Sequence, residues 1–288
     1  MAELTGSAAP EASRAPAARR ARPFSVSRLP GFAVVAVAVF VALYLPILML
    51  VVYSFNDAPS INSWGGVSLR WYREAWANDE VQAAAVRSLI LATFAALIST
   101  TVATLAALGT VRQGRFRGRT AIFALINQPL MVPEIVTAVA LLIVFGFVRQ
   151  ATGYQGLGYL ILAHSAFCVP FAYLPIRARL EGLDRTLELA AADLYASPAQ
   201  AFRRITLPLL MPGILAGMML AFVISLDDVI ITEFVKSAGQ DTLATYMLGQ
   251  FRRTLTPEVN AISTVLLALT LVLVTGVFLI TRKRAPGP

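Results

Sequence analysis

Three carboxylates in apolar surroundings are the first residues to suggest chemistry: Glu134, Asp227 and Asp228. A carboxylate inside a bilayer is costly and faces a cavity, a partner or a transported charge. Glu134 lies about 14 residues into an apolar run, which at about 1.5 Å per residue is ~20 Å deep. It follows Pro133, with Pro129 four residues earlier, so the helix there is expected to break. A carboxylate opening the resumed helix would also suit the N-terminal dipole. Asp227 and Asp228 come about 20 residues after Pro208, or ~30 Å, near the outer edge of a bilayer. They read either as a plain span end or as a negatively charged vestibule for a cationic solute. In the second reading Phe222, Tyr159 and Tyr173 offer ring faces to ammonium groups.

His164 and Cys168 are one helical turn apart, a spacing compatible with metal or nucleophile chemistry. Neither a second histidine nor a carboxylate accompanies them in sequence, and no H-E-x-x-H is present. Packing between helices is the expectation, with no catalytic residue, no metal and no cofactor in this chain. The two lysines, Lys236 and Lys283, do not follow a glycine-rich phosphate loop, so any ATP hydrolysis must occur in a partner.

The elements that hold these residues follow from composition. The 288 residues are 57% hydrophobic and 14% charged, against about half and a quarter in soluble domains. This is the balance of a membrane protein, and several spans of ~20 residues leave no room for a large soluble domain. The net charge of +8 is read as basic loops facing the cytoplasm and membrane lipid rather than as a nucleic-acid surface. The single cysteine excludes an internal disulfide.

Residues 1–30, rich in Ala, Pro, Ser and Arg, read as a disordered basic tail. The apolar run that follows is too long for a signal peptide and is taken as a retained first span. Six spans are expected, at about 31–54, 86–111, 120–148, 156–176, 209–234 and 259–281, with a tail at 283–288. With the N-terminus inside, inner segments hold 17 of the 24 Lys and Arg residues and outer segments 7. Both termini are therefore expected in the cytoplasm. Trp64, Trp71, Tyr72 and Trp76 in the first outer loop read as an interfacial belt or as a short helix over the channel mouth. A further outer helix is expected around Thr242–Arg253.

Residues 180–208 are too polar to cross the bilayer, yet carry an apolar stripe. Leu183, Leu187, Ala190 and Leu194 share one helical face, with Asp184 and Glu188 expected to point away from it. A short helix at about Leu180–Leu194 follows. Ser197–Pro198 starts a second, because serine caps and proline loses nothing at the first helical position. Pro208 and Pro212 are expected to disturb its passage into the fifth span.

This segment resembles the EAA loop of ABC-importer permeases. The pattern falls at Leu189-Ala190-Ala191, then Tyr195, then Ile205-Thr206-Leu207-Pro208, flanked by Glu188, Asp193-Leu194 and Ala196-Ser197-Pro198. Over about residues 30–282 the chain is similar to spermidine/putrescine permeases, with further matches at Ser54-Phe55-Asn56, Pro212-Gly213, Ser225-Leu226-Asp227-Asp228 and Pro257-Glu258-Val259-Asn260-Ala261. Leu189 replaces the motif's usual Glu, Tyr195 its Gly, and Arg87 an Asn common at the start of the second span.

The resemblance implies an all-α membrane protein with the type I ABC importer permease fold, six spans and a pair of cytoplasmic coupling helices. It implies a bacterial inner-membrane subunit forming half of a pore for polyamines or related amino-containing solutes. It also implies a second homologous permease, an ATPase dimer using ATP and Mg, and a periplasmic or lipid-anchored solute-binding protein. Glu188 to Pro208 would dock the ATPase, and Asp227, Asp228 and Glu134 would line the solute path. The alternative is an ATP-independent channel or proton-coupled carrier, whose mark would be charges paired across several spans.

Overall fold

The computed structural model describes residues 31–60, 63–112, 116–253 and 257–283, with side chains described to 279. The tail expected at 1–30 lies outside these residues, as does the one expected at 283–288 except for Lys283, which ends the last helix. Twelve α-helices are present among the described residues, and six helical stretches are long and apolar enough to cross a membrane. The chain divides into two compact units, residues 1–48 and 49–288. The described part of the first is the start of α1 (Phe32–Tyr53), an apolar helix without a buried residue.

In the second unit, three long helices form the core: α3 (Asp79–Ala107), α6 (Gly158–Glu181) and α9 (Leu207–Asp227). Their contact faces are small. Ala92, Ala95 and Ala103 on α3, Ala163 and Ala172 on α6 and Ala221 on α9 are fully buried. Small residues let helix backbones approach closely where lipid gives little hydrophobic drive for association. Gly217 shows how close: a Cβ there would stand 2.6 Å from the carbonyl oxygen of Ala172. Leu91, Leu160, Tyr173, Ile176 and Leu210 fill the remaining volume.

The expected third span is two helices, α4 (Arg119–Met131) and α5 (Glu134–Thr152), broken at Val132–Pro133. Val132 is extended (φ −104°, ψ 139°), as the residue before a proline prefers. The expected fifth span also differs: α9 stops at Asp227, Asp228 is extended, and a short α10 (Ile230–Val235) follows. α10 packs on α5, so the two helix breaks face one another.

The connections expected on the outer side carry their own hydrogen-bond networks. Asn56 organises the first: its Oδ1 accepts from the N–H of Ala58 and Gly65, its Nδ2 donates to Ser63 O (2.6 Å), and its carbonyl accepts Trp71 Nε1–H (2.7 Å). Trp71 belongs to α2 (Arg70–Ala77), the short helix weighed against a belt. Asn78 caps α3 through the N–H groups of Glu80 and Val81. Its Nδ2 reaches Tyr246 of α11 (Leu243–Arg253) and Glu258 of α12 (Pro257–Lys283), at 3.2 Å each. That cap starts the second long helix at Asp79, seven residues before the apolar run begins.

Candidate functional site

The segment between α6 and α9 differs from the sequence expectation in its helix bounds. Its first helix, α7 (Thr186–Asp193), is shorter than 180–194, because α6 runs to Glu181 and a turn intervenes. The apolar stripe divides: Leu183 is half-buried and packs on the core, whereas Leu187 is 47% exposed, Leu194 81%, and Ala190 is exposed, as is Leu189 beside the stripe. The inward face carries Ala191, which is buried, and Glu188. The physical reason is charge. Arg112 Nη2 lies 3.0 Å from Glu188 Oε1, and Thr206 donates its hydroxyl to the same oxygen at 2.6 Å. A paired carboxylate turns inward, which leaves the leucines outward.

Both partners of Glu188 end π-helical turns. Leu108–Arg112 closes α3, and Phe202–Thr206 joins α8 (Pro198–Ala201) to α9. The disturbance expected near Pro208 takes the form of this π-turn rather than a break, and one helical path runs from Pro198 to Asp227. In the π-turn Leu207 N–H bonds to Phe202 O, five residues back. This wider register accommodates Pro208, which has no N–H and would crowd a regular α-turn.

The turn between α7 and α8 is a Schellman motif. Ala196 N–H donates to Ala191 O (3.0 Å) and Tyr195 N–H to Ala192 O (2.9 Å). The motif places Tyr195 at φ +59°, the one positive φ among described non-glycine residues. Its ring is 98% exposed. Ser197 then opens α8 with a capping box: its Oγ accepts Gln200 N–H and its N–H donates to Gln200 Oε1 (2.9 Å), with Pro198 in the first turn. Asp193 is exposed, Ala196, Ile205 and Leu207 are half-buried, and Pro208 is exposed.

The second group of candidate residues converges in the bundle. Asp228, 7% exposed, accepts Thr232 N–H at 2.9 Å and Thr232 Oγ1–H at 3.2 Å through Oδ1, so it caps α10. Glu134 opens α5, the helix that packs on α10. Asp228 Oδ2 is buried and has no partner among the described residues. Asp227 is exposed and is not drawn into this cluster.

His164 was expected to have no carboxylate neighbour, and this is corrected by the fold. Its Nε2 stands 3.5 Å from Asp228 Oδ1 and 3.0 Å from Thr232 Oγ1, and its Nδ1 is 2.9 Å from Ser225 Oγ. The residues that meet here are 61 to 68 positions apart, so helical spacing could not reveal them. Cys168, fully buried, lies with its sulfur 3.5 Å from Ala221 O and takes the packing role expected of it. Thus α5, α6, α9 and α10 meet in a polar cluster with one unsatisfied carboxylate oxygen. Such a cluster suits a cation rather than covalent chemistry.

Residues 99–286 match the family described as "Binding-protein-dependent transport system inner membrane component". The chain is 40% identical over 245 residues to the putrescine transport system permease protein PotI of Escherichia coli (strain K12), covering 84% of this chain and 87% of that protein. It is 40% identical over 245 residues to the spermidine/putrescine transport system permease protein PotC of Haemophilus influenzae, covering 85% and 94%. Its fold is similar to a chain in the solved structure of a bacterial ABC transporter involved in the import of the acidic polysaccharide alginate. That match has a TM-score of 0.67 at 16% identity and covers 87% and 94% of the two chains.

Proposed function

The chain belongs to the family of binding-protein-dependent transport system inner membrane components, and from that membership we propose that it forms half of the path of an ATP-driven importer for polyamines or related small cationic solutes. Its partners in this reading are a second homologous permease, a cytoplasmic ATPase dimer that uses ATP and Mg, and a periplasmic or lipid-anchored solute-binding protein. Both termini and the α7–α8 segment face the cytoplasm, in keeping with the Lys and Arg distribution.

One observation carries the coupling role. Glu188 is held at once by Arg112, at the end of α3, and by Thr206, at the start of α9. A pull on α7 is therefore delivered to two core helices through one carboxylate. The outward leucines and Tyr195 are the contact face, with Leu189, Ala190, Asp193, Ser197 and Pro198 beside them. Ala191, Ala196, Ile205, Leu207 and Pro208 shape the segment between that face and the bundle.

Glu134 and Asp228 supply negative charge to a solute ammonium group, with Asp227 at the exposed end of the path. The names of the relatives support a diamine or triamine solute. ATP-dependent uptake of labelled putrescine into proteoliposomes holding the co-purified complex tests this reading. Failure to recover an ATPase with the permease in mild detergent, together with uptake indifferent to ATP, would overturn it.

A further inference from the structure

At the end of the bundle that carries α7, a cleft of 460 Å³ opens between the end of α3, the start of α4 and the end of α6. Two arginines line it, Arg119 and Arg177, beside Thr120 and the hydroxyl of Tyr173. Its remaining wall is apolar, with Phe116 and Phe123. The two cations are not equivalent. Arg177 gives its Nε to Glu181 at 2.8 Å and lies over the Phe123 ring, 5.0 Å from the centroid. Tyr173, buried, exchanges a hydrogen bond with Thr110 at 2.9 Å. Arg119 is half-buried, and its guanidinium has no carboxylate or hydrogen-bond partner among the described residues.

A half-buried, unneutralised guanidinium beside a second one repels a cationic solute, so this cleft lies off the proposed path. It favours an anion with several acceptor oxygens, which guanidinium groups bind well. The apolar side extends the argument. Beyond Phe123, the exposed side chains of Ile122 and Leu125 continue an apolar face along α4. A ligand that suits both ends carries a phosphate on acyl chains. Basic clefts between membrane helices at the cytoplasmic side favour such headgroups.

We propose that the cleft holds the phosphodiester of an anionic phospholipid of the inner leaflet, with Arg119 as its principal contact and Arg177 and Thr120 beside it. The leaflet assignment rests on the orientation proposed above. Cysteine labelling of Arg117→Cys from either side of the membrane tests that orientation separately. The lipid site predicts that the purified complex retains phosphatidylglycerol over phosphatidylcholine, read by mass spectrometry of bound lipid. Arg119→Gln should weaken retention about fivefold, whereas Arg119→Lys keeps most of it. An unchanged thermal midpoint of Arg119→Gln in lipid-free detergent establishes that the loss is not one of folding.

Equal retention of the two lipids, or no loss in Arg119→Gln, would overturn the proposal. Displacement of phosphatidylglycerol by inorganic phosphate would reassign the cleft to a small free anion. A photocross-linker at position 123 that captures the second permease instead of lipid would reassign it to a subunit contact.

Discussion

His164 and Asp228 lie 64 positions apart in the chain, yet their buried side chains approach to 3.5 Å. Ser225 and Thr232 occupy both ring nitrogens of His164, and Thr232 also binds Asp228. His164 is therefore the post against which the break between α9 and α10 is set. Replacing it by Ala leaves the buried Ser225 hydroxyl without its partner, which costs about 1–3 kcal/mol. A lowered thermal midpoint of the purified permease is the expected result. An unchanged midpoint would mean that the break holds itself.

Asp228→Asn and Asp227→Asn should separate the two acidic positions. Asp228 sits in the cluster and Asp227 outside it. Uptake of a dicationic solute should fall about tenfold or more in Asp228→Asn, the effect of losing ~1.4 kcal/mol of interaction, and less in Asp227→Asn. A neutral analogue should be less affected. Equal loss for both solutes would make Asp228 structural only.

The Glu188 clamp predicts uncoupling. In Glu188→Ala, ATP hydrolysis by the assembled complex should persist while solute uptake falls. A double-mutant cycle with Arg112→Gln should show a coupling energy of about 1 kcal/mol, since the pair is partly exposed. Strict additivity in that cycle would remove the link between α7 and α3.

Tyr195→Gly should stabilise the permease alone by about 1 kcal/mol, because a left-handed conformation is strained for any residue with a Cβ. The ring makes no burial that would be lost, being 98% exposed. If the tyrosine is an anchor for the ATPase, the same variant weakens assembly while its melting point rises. Cross-linking from Ala199 or Gln200 to the ATPase reports the contact directly.

On the opposite face Lys236 bridges Glu233 and Asp241, at 2.6 Å to each. Burial pushes the Lys236 ammonium down, but its two carboxylate partners outweigh this and hold it above its usual value. Burial likewise pushes Asp241 up, while Lys236, Thr245 and Arg87 together hold it below its usual value. The lysine's contribution is present below about pH 10.4 and is lost as pH rises through its higher folded value. The aspartate's is present above about pH 3.9 and is lost as pH falls through its lower folded value. The difference in thermal midpoint between wild type and Lys236→Met should thus be level from pH 5 to 9 and shrink below about pH 4, with a size of at most ~1 kcal/mol for partly exposed groups.

Hydrophobic runs, charge on loops and proline chemistry were legible in the sequence, since each acts locally. They gave six apolar stretches, the break before Glu134, and the Ser197–Pro198 helix start. The leucine periodicity of residues 183–194 was legible too, with Glu188 pointing away from Leu187 and Leu194, but a stripe says that a face is apolar, not what covers it. Inward placement of Glu188 depends on Arg112, 76 positions away, and the His164 cluster depends on α6, α9 and α10 meeting. The π-turn at 202–206 escaped because Pro208 is read against α-helical register, where it disrupts, and not against a wider turn that admits it.

Asn78 has a mechanical consequence for the whole bundle. It caps α3 and reaches α11 and α12 together, and nearby Ser88 accepts the N–H of Leu243 at 2.8 Å. One end of the bundle is thus cross-braced by side chains that leave little slack. The other end carries both π-turns, where the i→i+5 bonding is of a rare kind often found at functional sites. Long-range side-chain bracing and widened helical turns are thus segregated to opposite ends of the same three core helices, and Glu188 ties the two widened turns to one another.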